Sequence, residues 1–187
     1  MPTDPKHIRF AFFGTSAFSV MILKELKAQG FLPALIITPE DKPKGRKLVI
    51  TQPEVKVWAM QEGIPYIQPQ SLRTPEGVAM IEKYSGEEFD VFIVASYGKL
   101  LPQNIIDMPK HGILNVHPSL LPKLRGASPI KSAILSENET GVTIMQLDAL
   151  MDHGPIVAQK KVEVLEWPPY DDDLEIILGQ DMLLETK

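Results

Sequence analysis

At 187 residues with no cysteine and a formal charge of −5, the chain suits one domain able to bury a core without staples. Disulfides, thiolate metal sites and a cysteine nucleophile are excluded, and a reducing, cytoplasmic setting is permitted. The acidic balance argues against wholesale nucleic-acid binding but leaves room for a local basic patch. No apolar stretch approaches the ~20 residues of a membrane helix, and MPTDPKHIRF lacks the apolar core of a signal peptide.

In chain order, residues 8–13 (IRFAFF) are an apolar run closed by Gly14, read as a buried strand and tight turn. Phe18, Met21, Ile22 and Leu26 recur at helical spacing, with Gly30 as the stop. Residues 34–38 read as a second buried strand. A helix begins near Thr51 or Gln52 with Pro53, carries Val55, Trp58 and Ala59 on one face, and ends at Gly63. A short strand over 64–67, a helix over 74–85 and a strand over 90–95 (DVFIVA) follow. Residues 103–107 read as a short helix, 112–117 (GILNVH) as a strand and 129–136 as a helix. Strands are expected over 142–147 and 156–164, the latter with alternation that suits one exposed face. Leu174, Ile177, Leu178 and Leu184 suggest a closing helix. The Pro-rich stretches 39–53 and 118–129 read as long irregular loops, which at such length tend to carry function.

Strands alternating with helices predict an α/β fold, a Rossmann-like and mainly parallel sheet with helices on both faces. Such sheets bind ligands beyond the carboxyl ends of their strands. The chemistry is therefore expected just after Phe13, Ala95, His117 and Leu147.

Asn115 and His117 lie two apart on a strand and so face the same way, with Val116 in the core. An amide donor beside an imidazole can polarise a carbonyl and stabilise the oxyanion formed when an amine attacks it. The same two residues also read as a satisfied histidine and a loop-closing asparagine. Asp152, after the 142–147 strand, would orient the imidazole if the two strands are neighbours, or else belongs to an Asx turn closed by Gly154. Asp148 and His153 read as turn residues. Lys42, Lys44, Arg46 and Lys47 form a basic loop that suits phosphates or is simply solvated. The turn after Phe13 is not G-x-G-x-x-G, and neither a Walker motif nor a G-x-S-x-G elbow is present. His7, His111, His117 and His153 show no helical pairing and no companion cysteines, so no metal site is expected; His7 and His111 read as surface residues.

Several strings together resemble the methionyl-tRNA formyltransferases: Phe12-Phe13-Gly14-Thr15-Ser16-x-Phe18, Asp41-Lys42-Pro43-Lys44-Gly45-Arg46, and Ala95-Ser96-Tyr97-Gly98-Lys99-Leu100-Leu101-Pro102. Asn115-Val116-His117-Pro118-Ser119-Leu120-Leu121-Pro122-x-x-Arg125-Gly126 is the most specific, and residues 139–146 (ETGVTIMQ) add to it. The resemblance implies the formyltransferase fold, with Asn115, His117 and Asp152 as the catalytic trio. It implies 10-formyltetrahydrofolate as formyl donor beside Ser119, Leu120, Leu121 and Pro122, its pterin near the loops after Ala95 and Leu147. It further implies that Lys42, Lys44, Arg46 and Lys47 meet the acceptor end of initiator methionyl-tRNA, with no metal and no membrane, in the cytoplasm. The family carries a C-terminal tRNA-binding β domain, whereas this chain stops at Lys187, so residues 1–187 are expected to be the catalytic domain alone. Other departures are a shorter basic loop after Arg46, Leu150 where glycine is common, and His153 where threonine is common. Two other readings remain open here: the same transfer to another amine (an amino-sugar nucleotide or glycinamide ribonucleotide), or a folate- or tRNA-binding module without turnover.

Overall fold

The computed structural model describes residues 8–44, 47–84, 86–126, 128–148, 152–164, 167, 174, 177 and 178. In chain order the elements begin with β1 (Phe10–Gly14), α1 (Ala17–Ala28), β2 (Leu35–Ile37), β3 (Lys42–Lys44), β4 (Val49–Thr51), α2 (Glu54–Glu62) and β5 (Tyr66–Ile67). They continue with α3 (Pro75–Glu82), β6 (Val91–Ala95), α4 (Gln103–Ile106), β7 (Ile113–His117), α5 (Pro129–Ser136), β8 (Thr140–Gln146) and β9 (Ile156–Val162). Leu174, Ile177 and Leu178 of the expected closing helix are helical, and Leu174 and Leu178 are buried; Leu184 lies outside the described residues.

Among the described residues one sheet of seven strands runs β5-β2-β1-β6-β7-β8-β9. The first five are parallel, which is why β1 and β2 read as unbroken apolar runs: both of their faces are covered. Phe10, Phe12 and Val116 pack on one face with Phe18, Ile22 and Trp58 from α1 and α2. Phe13, Phe92 and Ile113 pack on the other with Ile81 of α3 and Ile105 of α4. Phe13 meets Phe92 at 5.2 Å and Tyr97 edge-on at 5.4 Å between ring centroids. Local chemistry sets the helix ends. Gly63, at φ 68, closes α2 in the left-handed conformation, and the Thr74 hydroxyl accepts from Gly77 N at the start of α3, where proline suits the first turn.

Four expectations need correction. The 39–53 stretch is not wholly irregular: β3 and β4 pair antiparallel, Lys42 with Thr51 and Lys44 with Val49, because Val49-Ile50-Thr51 is a β-branched run. Thr51 accordingly ends a strand, and Pro53 is the N-cap of α2. Strand β9 does not alternate. It is the sheet's outer strand, exposed along nearly its whole length, with Ile156 48% and Val157 62% exposed and Val162 buried. Finally, β8 runs antiparallel to β7, so Leu147 emerges at the amino end of β7, where its N–H donates to the Ile113 carbonyl at 2.8 Å. Leu147 thus lies at the opposite edge of the sheet from His117.

Strand β8 also tolerates no side chain at Gly141. A methyl there would lie 2.2 Å from the Lys160 carbonyl and 2.4 Å from Leu120 Cδ2. Gly141→Ala should therefore destabilise the protein by roughly 1–3 kcal/mol and lower Tm by several degrees in a thermal melt. An unchanged Tm would show that Leu120 and β9 yield freely.

Candidate active site

The sheet reverses direction of growth at β1. The chain builds β1, β2 and β5 outward on one side, then returns to β6 and β7 on the other. The crevice between the carboxyl ends of β1 and β6 is the place where folds of this topology hold ligands. A cavity of about 370 Å³ lies there, lined among others by Thr15, Ser16, Lys42, Tyr97, Gly98 and Lys99. Its floor is tied down: Thr15 Oγ1 donates to the Tyr97 carbonyl at 3.1 Å, and Ser19 Oγ to the Ala95 carbonyl at 2.7 Å. Ser16 Oγ and Tyr97 Oη are buried without a partner among the described residues, and burial pushes the Tyr97 phenol up from its ordinary pKa. Ser16 is the N-cap of α1, yet its side chain makes no capping bond.

One strand over, β7 pairs with β6, Asn115 beside Val94. Ile113, Asn115 and His117 share a face by strand alternation, and Val116 sits in the opposite core, as the spacing predicts. His117 is 5% exposed. Its Nε2 lies 3.0 Å from the Leu124 carbonyl, which can only accept, so Nε2 donates. Its Nδ1 faces Asp152 Oδ1 at 3.7 Å. Asn115 Nδ2 donates to the same oxygen at 3.3 Å, and Gly126 N donates to Asp152 Oδ2 at 2.9 Å. Asp152 therefore gathers β7, the 118–126 segment and the β8–β9 connection into one group. Asn115's second amide hydrogen has no partner among the described residues.

The backbone is strained where this group is assembled. Leu124 and Asp152 have φ of 57° and 52°, a region that costs a residue with a side chain roughly 1–2 kcal/mol. Both strained residues contact the ring: the Leu124 carbonyl accepts from Nε2 and Asp152 faces Nδ1.

Ser119 to Pro122 form a braced turn containing a cis Leu121–Pro122 bond. Thr143, which pairs with His117 on one side and Gln159 on the other, holds it. The Thr143 hydroxyl donates to the Ser119 carbonyl at 2.6 Å and accepts from Leu121 N at 3.1 Å and Gln159 Nε2 at 2.8 Å. Gln159 Nε2 also donates to the Leu121 carbonyl at 2.8 Å. Ser119 Oγ donates to the Lys123 carbonyl, so this buried hydroxyl is committed within the turn. Leu121 is buried, Leu120 half-buried and Pro122 exposed. Sequence reasoning did not find Thr143 and Gln159, whose only signal is that each is a polar residue on adjacent, paired strands.

The β3–β4 hairpin rims the cavity. Lys42 and Lys47 are exposed, the side chain of Lys44 is not described, and Arg46 lies outside the described residues, as do Leu150 and His7. His111, Asp148 and His153 are exposed. Leu48, Val49 and Ile50 face solvent beside the lysines. At the hairpin's base, Lys56 meets both Asp41 oxygens at 2.7–2.8 Å, and Gln68 Nε2 adds a bond to Oδ1 at 2.8 Å. Hydrogen bonds from Lys56 and then Gln68 hold the Asp41 carboxyl below its ordinary range. A depressed carboxyl contributes stability above its unfolded value of about 3.9, and that contribution is lost as pH falls through the folded value. Amide exchange of the hairpin ladder, corrected for intrinsic rate, should stay slow from neutrality to about pH 4 and quicken only below that. Loss of protection already between about pH 7 and 5 would remove Asp41 as the anchor.

Among the described residues no three His, Asp or Glu side chains group so as to hold a metal ion, and no helix is long and apolar enough to cross a membrane.

Residues 7–175 match the family described as Formyl transferase. The methionyl-tRNA formyltransferase of Geobacillus sp. (strain WCH70) is 44% identical over 182 residues, covering 96% of this chain and 56% of that protein. That of Chloroflexus aggregans is 41% identical, covering 96% and 58%. The chain thus spans a little over half the length of these curated relatives. Among solved structures, phosphoribosylglycinamide formyltransferase from Bacillus halodurans superposes with a TM-score of 0.68 at 25% identity, covering 96% of this chain and 97% of that one. A sugar N-formyltransferase from Shewanella shares the fold at 17% identity and a TM-score of 0.61. With a family match over most of its length and relatives above 40% identity, the chain belongs to the formyl transferase family.

Proposed function

We propose that this chain moves the formyl group of 10-formyltetrahydrofolate to the amino group of methionyl-tRNA, in the cytoplasm, with residues 1–187 acting as one catalytic unit. The observation that carries the reading is the meeting of Asn115, His117 and Asp152 one strand away from a cavity rimmed by a basic hairpin. The curated relatives named for that activity support the same acceptor.

In this reading the acceptor nitrogen attacks the formyl carbon, a C–N bond forms and the formyl oxygen takes up negative charge. Asn115 supplies its unclaimed amide hydrogen to that oxygen. The Nε2 hydrogen of His117, now on the Leu124 carbonyl, is the second donor a substrate oxygen would claim. Collapse of the tetrahedral adduct breaks the bond to the donor nitrogen. The proton lost by the acceptor amine ends on that leaving nitrogen, with His117, held by Asp152, assisting its passage. Ser119, Leu120, Leu121 and Pro122 flank the donor as a pre-formed wall, because Thr143 and Gln159 fix their backbone in advance. Lys42, Lys44, Arg46 and Lys47 meet the phosphates of the acceptor end.

A second acceptor is kept in view by the likeness to a phosphoribosylglycinamide formyltransferase. The test gives the protein 10-formyltetrahydrofolate with initiator methionyl-tRNA, glycinamide ribonucleotide or an amino-sugar nucleotide, and follows label into each. Transfer to the tRNA, with binding that weakens steeply as salt rises, is expected. Transfer to glycinamide ribonucleotide alone would replace this reading, and tight folate binding without transfer to any amine would leave a binding module.

A further inference from the structure

Lys56 has no place in the chemistry just described, yet it is a tightly held cation. It sits on the first turns of α2 and is 8% exposed. A buried amine is costly unless paired and hydrogen-bonded. Here Nζ meets both oxygens of Asp41 and lies 5.7 Å from the centre of the Tyr66 ring. Gln68, just past β5, donates from Nε2 both to Asp41 and to the Pro39 carbonyl at 2.7 Å. The clasp therefore joins α2, the exit of β5 and residues 39–41.

Its position along the chain gives it a use. Asp41 immediately precedes Lys42, the first residue of β3, whose partner Thr51 is the last of β4. Two residues later Pro53 opens α2, and Lys56 follows. Both feet of the hairpin are thus tied to one helix end, one by the covalent chain and the other by the Lys56–Asp41 pair. Packing does not substitute for this tie, because β4 is exposed at every residue. A two-stranded ladder of this size is marginal without support.

We infer that Lys56 is a positioning residue that sets the pose of the β3–β4 hairpin over the cavity and so governs engagement of an anionic, nucleic-acid acceptor. The inference rests on the proposed function for the identity of that acceptor, but not for the mechanical role. Loss of the clasp frees the hairpin to swing, and Lys42 and Lys47 no longer meet phosphates in register.

Two readouts separate these layers. Limited trypsin digestion reports the hairpin directly through cleavage after Lys47. In Lys56→Met that cleavage should run about tenfold faster or more, with sites outside the hairpin unchanged, since exposure tracks the open population. Asp41→Asn should behave alike if the methionine variant fails to fold. Lys56→Arg, which keeps the charge and can reach both oxygens, should restore most of the protection. Steady-state transfer to initiator methionyl-tRNA should show KM raised roughly tenfold in Lys56→Met with kcat within about twofold, and KM for 10-formyltetrahydrofolate unchanged. Unchanged cleavage in both Lys56→Met and Asp41→Asn overturns the clasp, and faster cleavage with an unaltered tRNA KM overturns its role in engagement. A wild-type protein that formylates no tRNA sinks the proposed function instead, and the cleavage result still decides the clasp.

Discussion

Asn115→Ala should lower kcat for formyl transfer by about 10²–10³-fold, the usual cost of removing one oxyanion donor. Its KM values should stay within a few-fold, because the amide matters most once charge has developed on the formyl oxygen. Little structural damage accompanies the change. The Asn115 side chain is half-buried, its one bond to Asp152 is long at 3.3 Å, and Asp152 keeps the Gly126 N–H on its other oxygen. The thermal midpoint should thus barely move, which separates this variant from Gly141→Ala. Asn115→Asp keeps the shape but places a second carboxylate against Asp152. It should be at least as inactive, since an anion repels the oxyanion that the amide would bind. A rate near wild type for either variant takes Asn115 out of the chemistry.

What the sequence revealed follows from how each feature is encoded. Strands β1, β6 and β7 are buried on both faces, so they read as apolar runs, and the two-residue spacing of Asn115 and His117 gives their shared face without any tertiary knowledge. Strand direction is not encoded that way. Nothing local in residues 140–146 distinguishes parallel from antiparallel, so Leu147 was expected at the ligand edge and is found at the other end. Asp152 still reaches His117, and it does so as a left-handed residue outside any strand, a placement with no periodic signature. The outer strand β9 does not alternate because, among the described residues, little packs over either face before Val162, which alone is buried in the core. The hairpin was hidden by its length and by Pro43 and two lysines in one of its strands, leaving only the β-branched 49–51 run as a hint. Lys56 gave no hint at all, because a lysine beside the apolar face of a helix is usually solvated, and its partner lies fifteen residues earlier in the chain.

His117→Ala should cost about 10²–10⁴-fold in kcat, the range for a positioned proton-transfer group, and the variant is most informative when paired with Asp152→Ala. Asp152 contacts both proposed donors: its Oδ1 accepts from Asn115 Nδ2 and lies 3.7 Å from His117 Nδ1, and its Oδ2 accepts from the Gly126 N–H. If its work is to orient the ring and the amide, removing it leaves both donors present but misaimed. Removing the ring as well should then add little, because groups that act as a unit lose their function together. The double variant is therefore expected to be no more than a few-fold slower than the slower single. A product of the two losses, on the order of 10⁴-fold or beyond, would mean that ring and carboxylate serve separate steps. Asp152→Asn sharpens the distinction. Its carbonyl oxygen can keep the Gly126 N–H, which preserves the 118–126 segment, but its amide then faces the Asn115 amide and the ring with hydrogens of its own. A variant that folds and binds like wild type yet turns over like Asp152→Ala would place the loss in the orientation of donors rather than in the shape of the site.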